Sequence, residues 1–215
     1  AQENEVLDDV GINLGKFRSL SMNEIRILLD HEAKSGSDSV SECLSPDLIN
    51  GEIDYMYIAN NYLNTGRLEF LAKNLRNYKN LTNKILRALM EQNGIGAIGC
   101  NMDSFIDAYP KELADALFKI GGVDAIVDNF YDFECVGMKT AKELAGMGYG
   151  ETVVAHLYNL ESRDKKDQKE IIISYLTGGK FLALIESMDA NSDYHEFSDK
   201  EIDDLIVGYI DNMIL

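Results

Sequence analysis

Side chains suited to binding a metal ion are concentrated near the C-terminus. The segment Asp189-Ala-Asn191-Ser-Asp193 carries oxygen-bearing side chains at alternate positions, and Ser198 and Glu201 follow it. Calcium takes about six to eight hard oxygen ligands, and a final glutamate supplies two of them. The spacing therefore predicts a calcium site, with Ca²⁺ as the only expected cofactor. The predicted metal ligands are Asp189, Asn191, Asp193, Ser198 and Glu201.

Apolar residues flank this segment at helical spacing. They are Phe181, Leu184, Ile185 and Met188 before it, and Ile202, Leu205, Ile206 and Tyr209 after it. Two helices around an oxygen-rich loop resemble the EF-hand, and the resemblance implies a calcium-binding helix–loop–helix over residues 181–215. The loop is one residue longer than that of the family, and Tyr194 stands where the family has glycine. The alternative is a polar turn without metal, because Asp, Asn and Ser also favour turns.

Four asparagines are candidates for contacts with a partner. Asn101 and Asn129 are 28 residues apart, and Asn74 and Asn159 lie close to the same register. On one face of a repeated structure, their amides would hydrogen-bond the backbone of a bound peptide. The alternative is that they are ordinary exposed residues of helices, since asparagine is usually exposed.

An internal repeat underlies that register. Glycine recurs every 28 residues, with an apolar residue four positions later. These pairs are Gly66 and Phe70, Gly94 and Ile98, Gly122 and Ile126, Gly150 and Val154, and Gly178 and Leu182. Another apolar position recurs five residues before the glycine, at Leu89, Leu117, Ala145 and Ile173. A fixed period of this length is typical of stacked helical repeats, each burying its apolar face against its neighbours.

The third of these units shows a family resemblance. The segment from Leu117 to Phe130, with Gly121-Gly122 followed by apolar residues at helical spacing, resembles the armadillo repeat. Poorer copies begin at Gly94 and Gly150, and the resemblance extends over about residues 55–188. It implies a helical array that binds other proteins. The units are shorter than those of the armadillo and HEAT families, which have about 40 residues, and accommodate only two short helices.

The sequence thus predicts an all-α protein, a right-handed α-solenoid of two-helix repeats of about 28 residues. Residues 1–55 form a helical N-terminal cap, 56–180 the armadillo/HEAT-like repeats, and 181–215 the EF-hand-like segment packed on the array. Capping boxes are predicted at Ser21 to Glu24 and at Ser198 to Glu201, because a Ser followed three residues later by Glu satisfies the first amides of a helix.

Composition limits the partners. The formal net charge of the 215 residues is −17, which excludes nucleic acid and favours a basic peptide or protein. No apolar run is long enough to span a membrane. The three cysteines show neither a disulfide framework nor a CxxC motif, which is typical of reduced thiols, and we expect a cytoplasmic location.

No catalytic pattern is evident. His31, His156 and His195 are far apart, and the GxGxxG sequence from Gly94 to Gly99 falls in a helical register and not after a β-strand. We predict a non-enzymatic scaffold whose acidic surface binds a basic peptide or protein. A calcium-binding regulatory module using the C-terminal loop is the alternative, and an enzyme within a helical fold is a third possibility.

Overall fold

The described part of the chain is helical. The computed structural model describes residues 7, 9–46, 48–49, 51–176 and 197–214. Within these ranges the backbone forms helices, turns and isolated extended bridges, but no β-strand, so the predicted all-α class is confirmed. In the same ranges, no helix combines the length and apolar character needed to cross a membrane.

The chain divides into two compact units, residues 1–107 and 108–215. We number the α-helices in chain order. The first unit contains α1 (Met22–Ser35), α2 (Ser39–Cys43), α3 (Tyr55–Asn64), α4 (Leu68–Lys73), α5 (Asn83–Glu91) and α6 (Ile95–Gly99). The second contains α7 (Lys111–Lys119), α8 (Val123–Asp128), α9 (Met138–Leu144), α10 (Gly150–Ala155), α11 (Lys165–Leu176) and α12 (Asp199–Ile214).

Short 3₁₀ turns supplement these helices. They are Leu14–Lys16, Leu75–Asn77, Met102–Ser104, Phe130–Asp132 and Leu157–Asn159. The first residue of each turn is a buried apolar side chain. Four of the turns directly follow a short α-helix, namely α4, α6, α8 or α10, so the same succession of elements recurs along the chain.

A left-handed residue separates the two helices in four successive helix pairs. These residues are Gly66, Asn93, Gly121 and Gly148, and the intervals between them alternate between 27 and 28. In the first three pairs, the amide after the turn donates to the carbonyl five residues earlier: Arg67 to Tyr62, Gly94 to Leu89 and Gly122 to Leu117, at 2.8–2.9 Å. A left-handed residue is a common way to end a helix and satisfy its last carbonyls.

The uniform glycine register is correct only in part. Gly94 and Gly122 occupy equivalent places, each the N-cap of a short helix. Gly66, however, is itself the left-handed residue, one position too early. Gly150 lies one position too late, against the ring of Tyr175. The single period is therefore wrong at both ends, because the structural intervals are not all equal; Gly178 lies outside the described residues.

The apolar registers shift in the same way. Ile98, Ile126 and Val154 are buried as their spacing predicts, but at the first repeat Leu71 is fully buried and Phe70 is not. Leu89, Leu117 and Ala145 are buried as well. By contrast, Ile173 is 42% exposed and its neighbour Ile172 takes the buried position; Leu182 lies outside the described residues.

Parallel backbone bridges connect a residue just before each of the longer helices α5, α7 and α9 to the residue that follows the next 3₁₀ turn. Leu81 pairs with Phe105, Tyr109 with Phe133 and Val136 with Leu160, and the separation along the chain is the same in all three. The amides of Leu81, Tyr109 and Val136 each donate to the last carbonyl of the 3₁₀ turn, at 2.7–2.9 Å. The carbonyls of the same three residues accept from the amide that lies two positions after the end of that turn, at 2.8–2.9 Å. These bonds satisfy backbone groups that a short helix leaves unpaired.

The N-terminal section, predicted as a cap outside the period, contains related elements. Leu20 bridges to Ile49 as the later residues do, and its amide donates to the Leu48 carbonyl at 2.7 Å. The preceding 3₁₀ turn at Leu14–Lys16 begins after Asn13, whose side-chain amide donates back to Asp9, as later asparagines do within their own helices. The predicted Ser21 capping box of α1 is confirmed, with both reciprocal bonds present.

A buried polar network stabilises the first unit. The carboxylate of Glu32, 3% exposed, accepts from the Val40 amide at 2.7 Å and from the Tyr62 hydroxyl at 2.9 Å. The same hydroxyl accepts from the Ser41 amide at 3.1 Å, and the Ser41 hydroxyl accepts from Tyr78 at 2.9 Å. Burial raises the pKa of Glu32, and this effect outweighs the two hydrogen bonds that lower it.

The close approach at Gly94 is testable by substitution. A methyl group at this position would lie 2.9 Å from the Leu89 carbonyl oxygen, so we expect Gly94→Ala to lower the free energy of unfolding by about 1–3 kcal/mol. Gly96 in the following helix has open space around it, and Gly96→Ala should be neutral or stabilising by about 0.5 kcal/mol. Urea denaturation of both variants measures the difference. Equal effects would contradict the backbone contact.

The hydroxyl of Tyr62 carries a second prediction. Tyr62→Phe removes the hydroxyl that donates to the Glu32 carboxylate and accepts from the Ser41 amide. Because both groups then lose a buried partner, the free energy of unfolding should fall by about 1–3 kcal/mol. Tyr131→Phe is the matched control, because its ring is 61% exposed and the change should stay within about 0.5 kcal/mol. Thermal or urea unfolding compares the two. A Tyr62 variant as stable as the control would show that the network contributes nothing.

Candidate functional site

Acidic and basic residues are segregated along the repeats. The stretches 88–110, 120–138 and 143–162 contain ten Asp and Glu residues and no Lys or Arg. Two of these stretches lie in the second unit and contain the short helices α8 and α10 with the 3₁₀ turns that follow them. The lysines that the structure describes in this unit lie instead in α7, α9, α11 and α12. The short-helix side therefore carries negative charge without a cation of its own.

Lysines on the long helices form ion pairs with neighbouring acids. Lys111 Nζ lies 2.6 Å from Glu161 Oε1, and Lys142 pairs with Glu170. On the short-helix side, Asp128 and Glu151 are exposed, and Asp124 accepts a 3.4 Å hydrogen bond from the Tyr149 hydroxyl. Between residues 120 and 160, most of the carboxylates that the structure describes are therefore exposed and outside any ion pair.

Aromatic rings lie among these carboxylates. Tyr131 is 61% exposed, and its ring centre lies 6.5 Å from that of His156. The His156 ring lies 5.8 Å from both Tyr158 and the buried Phe130. A 2.8 Å contact between His156 Nδ1 and the Thr152 carbonyl holds the imidazole at the end of α10. We call Asp124, Asp128, Tyr131, Glu151, His156 and Tyr158 the acidic-aromatic surface.

The four predicted partner-binding asparagines do not form one set. Asn74, Asn101 and Asn129 occupy equivalent places at the ends of short helices, and each amide donates to the carbonyl four residues earlier, at 2.8–3.1 Å. His156 occupies the same place after α10. Asn101 and Asn129 are half-buried, whereas Asn74 is buried. Three members thus terminate helices, and their side-chain donors already have a backbone partner.

Asn159 belongs to a different position in the repeat. It is the last residue of a 3₁₀ turn, three positions later, and is 6% exposed. Its amide donates to the carbonyls of Phe130, Tyr131 and Phe133 at 3.0–3.3 Å, and so connects two successive turns of the second unit. In the first unit the Asn77 amide donates to the carbonyls of Ser41 and Glu42 and so connects a 3₁₀ turn to α2. These contacts indicate a structural role inside the protein.

The predicted calcium ligands lie only partly within the described residues. Asp189, Asn191 and Asp193 lie outside them. Ser198 and Glu201 form the predicted capping box of α12: the Glu201 carboxylate accepts from the Ser198 amide and hydroxyl at 3.0 and 2.9 Å. It also accepts from Lys165 Nζ at 3.1 Å. The Ser198 hydrogen bonds and the Lys165 ammonium lower the pKa of Glu201 to about 2, so the carboxylate is ionised at neutral pH.

No cluster of three or more His, Cys, Asp or Glu side chains is arranged to hold a metal ion in the described ranges. The calcium site remains a prediction, since three of its five proposed ligands, Asp189, Asn191 and Asp193, lie outside the described residues. Calcium would have to compete with Lys165, whose ammonium forms an ion pair with the Glu201 carboxylate.

Sequence reasoning missed the acidic-aromatic surface, because Tyr131, His156 and Tyr158 form no motif in the chain. The absence of Lys and Arg from residues 120–138 and 143–162 was the available signal, because it contrasts with the lysine-rich helices on either side. The contact between the rings of Tyr131 and His156 was not predictable, since these residues belong to successive repeats.

Comparison with known proteins finds no matching family model, no matching curated protein and no matching solved structure. The armadillo and EF-hand resemblances therefore remain hypotheses supported by the residues of this chain alone.

Calcium binding is testable through Lys165. If the loop from Asp189 to Glu201 takes calcium, Lys165→Ala should raise the affinity about threefold by removing the competing cation. Lys166→Ala, at an exposed neighbouring position, should change it little, and Asp189→Ala should abolish the heat of binding. Titration calorimetry measures all four proteins. Absence of heat at millimolar calcium in the wild type would favour the polar-turn alternative.

Proposed function

We propose that this protein is a non-enzymatic scaffold that binds a basic peptide or protein through the acidic-aromatic surface. The segregation of charge carries the proposal: two neighbouring short-helix segments expose carboxylates and aromatic rings, and neither contains a lysine or arginine. An internally neutralised surface would have no use for an added cation. None of the ion pairs within the described residues involves Asp124, Asp128 or Glu151, so a basic partner would supply the complementary charge.

We propose further that the helix pairs stack as a right-handed α-solenoid. Support comes from features that recur at nearly equal intervals: left-handed turns between paired helices, and parallel backbone bridges that close each pair. The Ser104 hydroxyl and the Asn159 amide each join a 3₁₀ turn to the preceding one, so successive pairs also contact each other, as stacked repeats require. Repetition also places equivalent surface residues side by side, which suits an extended peptide.

Electrostatic attraction is the expected driving force. Exposed charges interact over about 10 Å at 0.1 M salt, so several carboxylates on adjacent helices act on one bound basic segment. The rings add apolar area that water covers in the free protein. Affinity should therefore depend strongly on salt while retaining a component that salt does not remove.

Neutralising two carboxylates tests the location of the site. We expect Asp128→Asn with Glu151→Gln to weaken binding of a mixed Lys/Arg peptide about fivefold, since each exposed charge pair contributes modestly. Asp203→Asn with Asp204→Asn on α12 removes the same charge from two other exposed positions and should have a smaller effect. Fluorescence anisotropy at low and high salt measures both variants.

Two results would count against the proposal. Equal weakening by both double variants would show that only the net charge attracts the peptide, without a defined surface. Wild-type binding that does not change between low and high salt would exclude carboxylates as the basis of recognition. A peptide of acidic residues is the negative control and should not bind.

A further inference from the structure

The rings of Tyr131 and Tyr158 occupy equivalent positions in successive repeats. Each is the second residue of a 3₁₀ turn, and the His156 ring is adjacent to both. The planes of Tyr131 and His156 are inclined by 32° at 6.5 Å, and those of His156 and Tyr158 by 52° at 5.8 Å. The three rings thus form one aromatic cluster around His156, and Tyr131 is its well-exposed member.

Elsewhere the protein pairs tyrosine rings with its own arginines. In the first unit the guanidinium carbon of Arg26 lies 4.7 Å from the centre of the Tyr57 ring, and that of Arg67 lies 4.9 Å from Tyr62. The segment of residues 120–138, which contains Tyr131, has no arginine. Asp128 and Asp132 lie within three residues of Tyr131, so negative charge lies beside this ring in the chain.

We propose that the cluster of Tyr131, His156 and Tyr158 selects arginine over lysine side chains in the bound peptide, an inference that rests on the proposed function. A guanidinium is planar, stacks on aromatic faces and is more weakly hydrated than an ammonium. It stacks on the ring while its edge donates hydrogen bonds to a carboxylate, a combination that an ammonium does not offer. Carboxylates alone attract both cations, so the rings decide between them.

The chemistry of the surface selects this occupant over two others. Nucleic-acid bases also stack on aromatic rings, but their phosphates would be repelled by the surrounding carboxylates. A purely apolar peptide would cover the rings but would leave Asp128 and Glu151 without a counter-charge. An arginine-containing segment satisfies both the rings and the carboxylates.

Paired peptides of equal length and charge test the inference. We expect oligo-arginine to bind the wild-type protein about three- to tenfold more tightly than oligo-lysine, by anisotropy at equal salt. Tyr131→Leu keeps apolar bulk but removes the π-face, and should lower the affinity for oligo-arginine about threefold while leaving oligo-lysine unchanged. Phe17→Leu, at an exposed aromatic residue of the first unit, is the control and should change neither affinity.

The outcomes separate this inference from the function on which it rests. If neither peptide binds, the proposed function itself is wrong. If both bind with equal affinity, or if Tyr131→Leu weakens both equally, the acidic surface binds cations without discriminating and the role of the rings is overturned. A preference for oligo-arginine that survives Tyr131→Leu would also overturn it, because the selectivity would then arise elsewhere.

Discussion

Backbone hydrogen bonding between the short helices is the constraint on which this structure depends. Every α-helix leaves its first amides and last carbonyls without an internal partner, and helices of five to nine residues have few other backbone groups. The protein supplies partners at the helix ends. Left-handed turns satisfy one end, 3₁₀ turns continue the other, and bridges such as Tyr109 to Phe133 pair the extended residues between them. Helices this short would be unstable in isolation, so their stability comes from these contacts and from packing.

The same constraint distributes the side chains. Long helices pack Leu, Ile and Ala on one face and leave the other for lysines, which form ion pairs such as Lys111 with Glu161. Short helices use polar side chains to terminate themselves, as Asn129 does. The residues between them, including Asp128 and Tyr131, remain at the surface. In the second unit the described lysines therefore lie on the long helices, whereas α8 and α10 carry only acidic charges.

Parts of the fold were predictable because they depend on neighbours in the chain. The capping boxes at Ser21 and Ser198 join residues three apart, and the apolar spacing that marks α8 acts over one helical turn. The glycine period was predictable only approximately. Asn93 adopts the left-handed conformation that Gly66 and Gly121 adopt. Because this residue is not a glycine, the glycine period marks the following residue, Gly94, instead. The unequal intervals between left-handed residues displaced the register at Gly150.

The sequence by itself determined that the chain is helical, acidic and periodic, because these properties are local or summed over residues. Only the tertiary structure decided what each polar residue does. Spacing grouped Asn159 with the other asparagines, but Asn159 is buried and joins two 3₁₀ turns. The place at the end of the short helix, where the other asparagines lie, is taken by His156. The physical reason is distance along the chain. The hydrogen bonds of Asn159 reach into the preceding repeat, where a shift of one position exchanges a buried site for an exposed one.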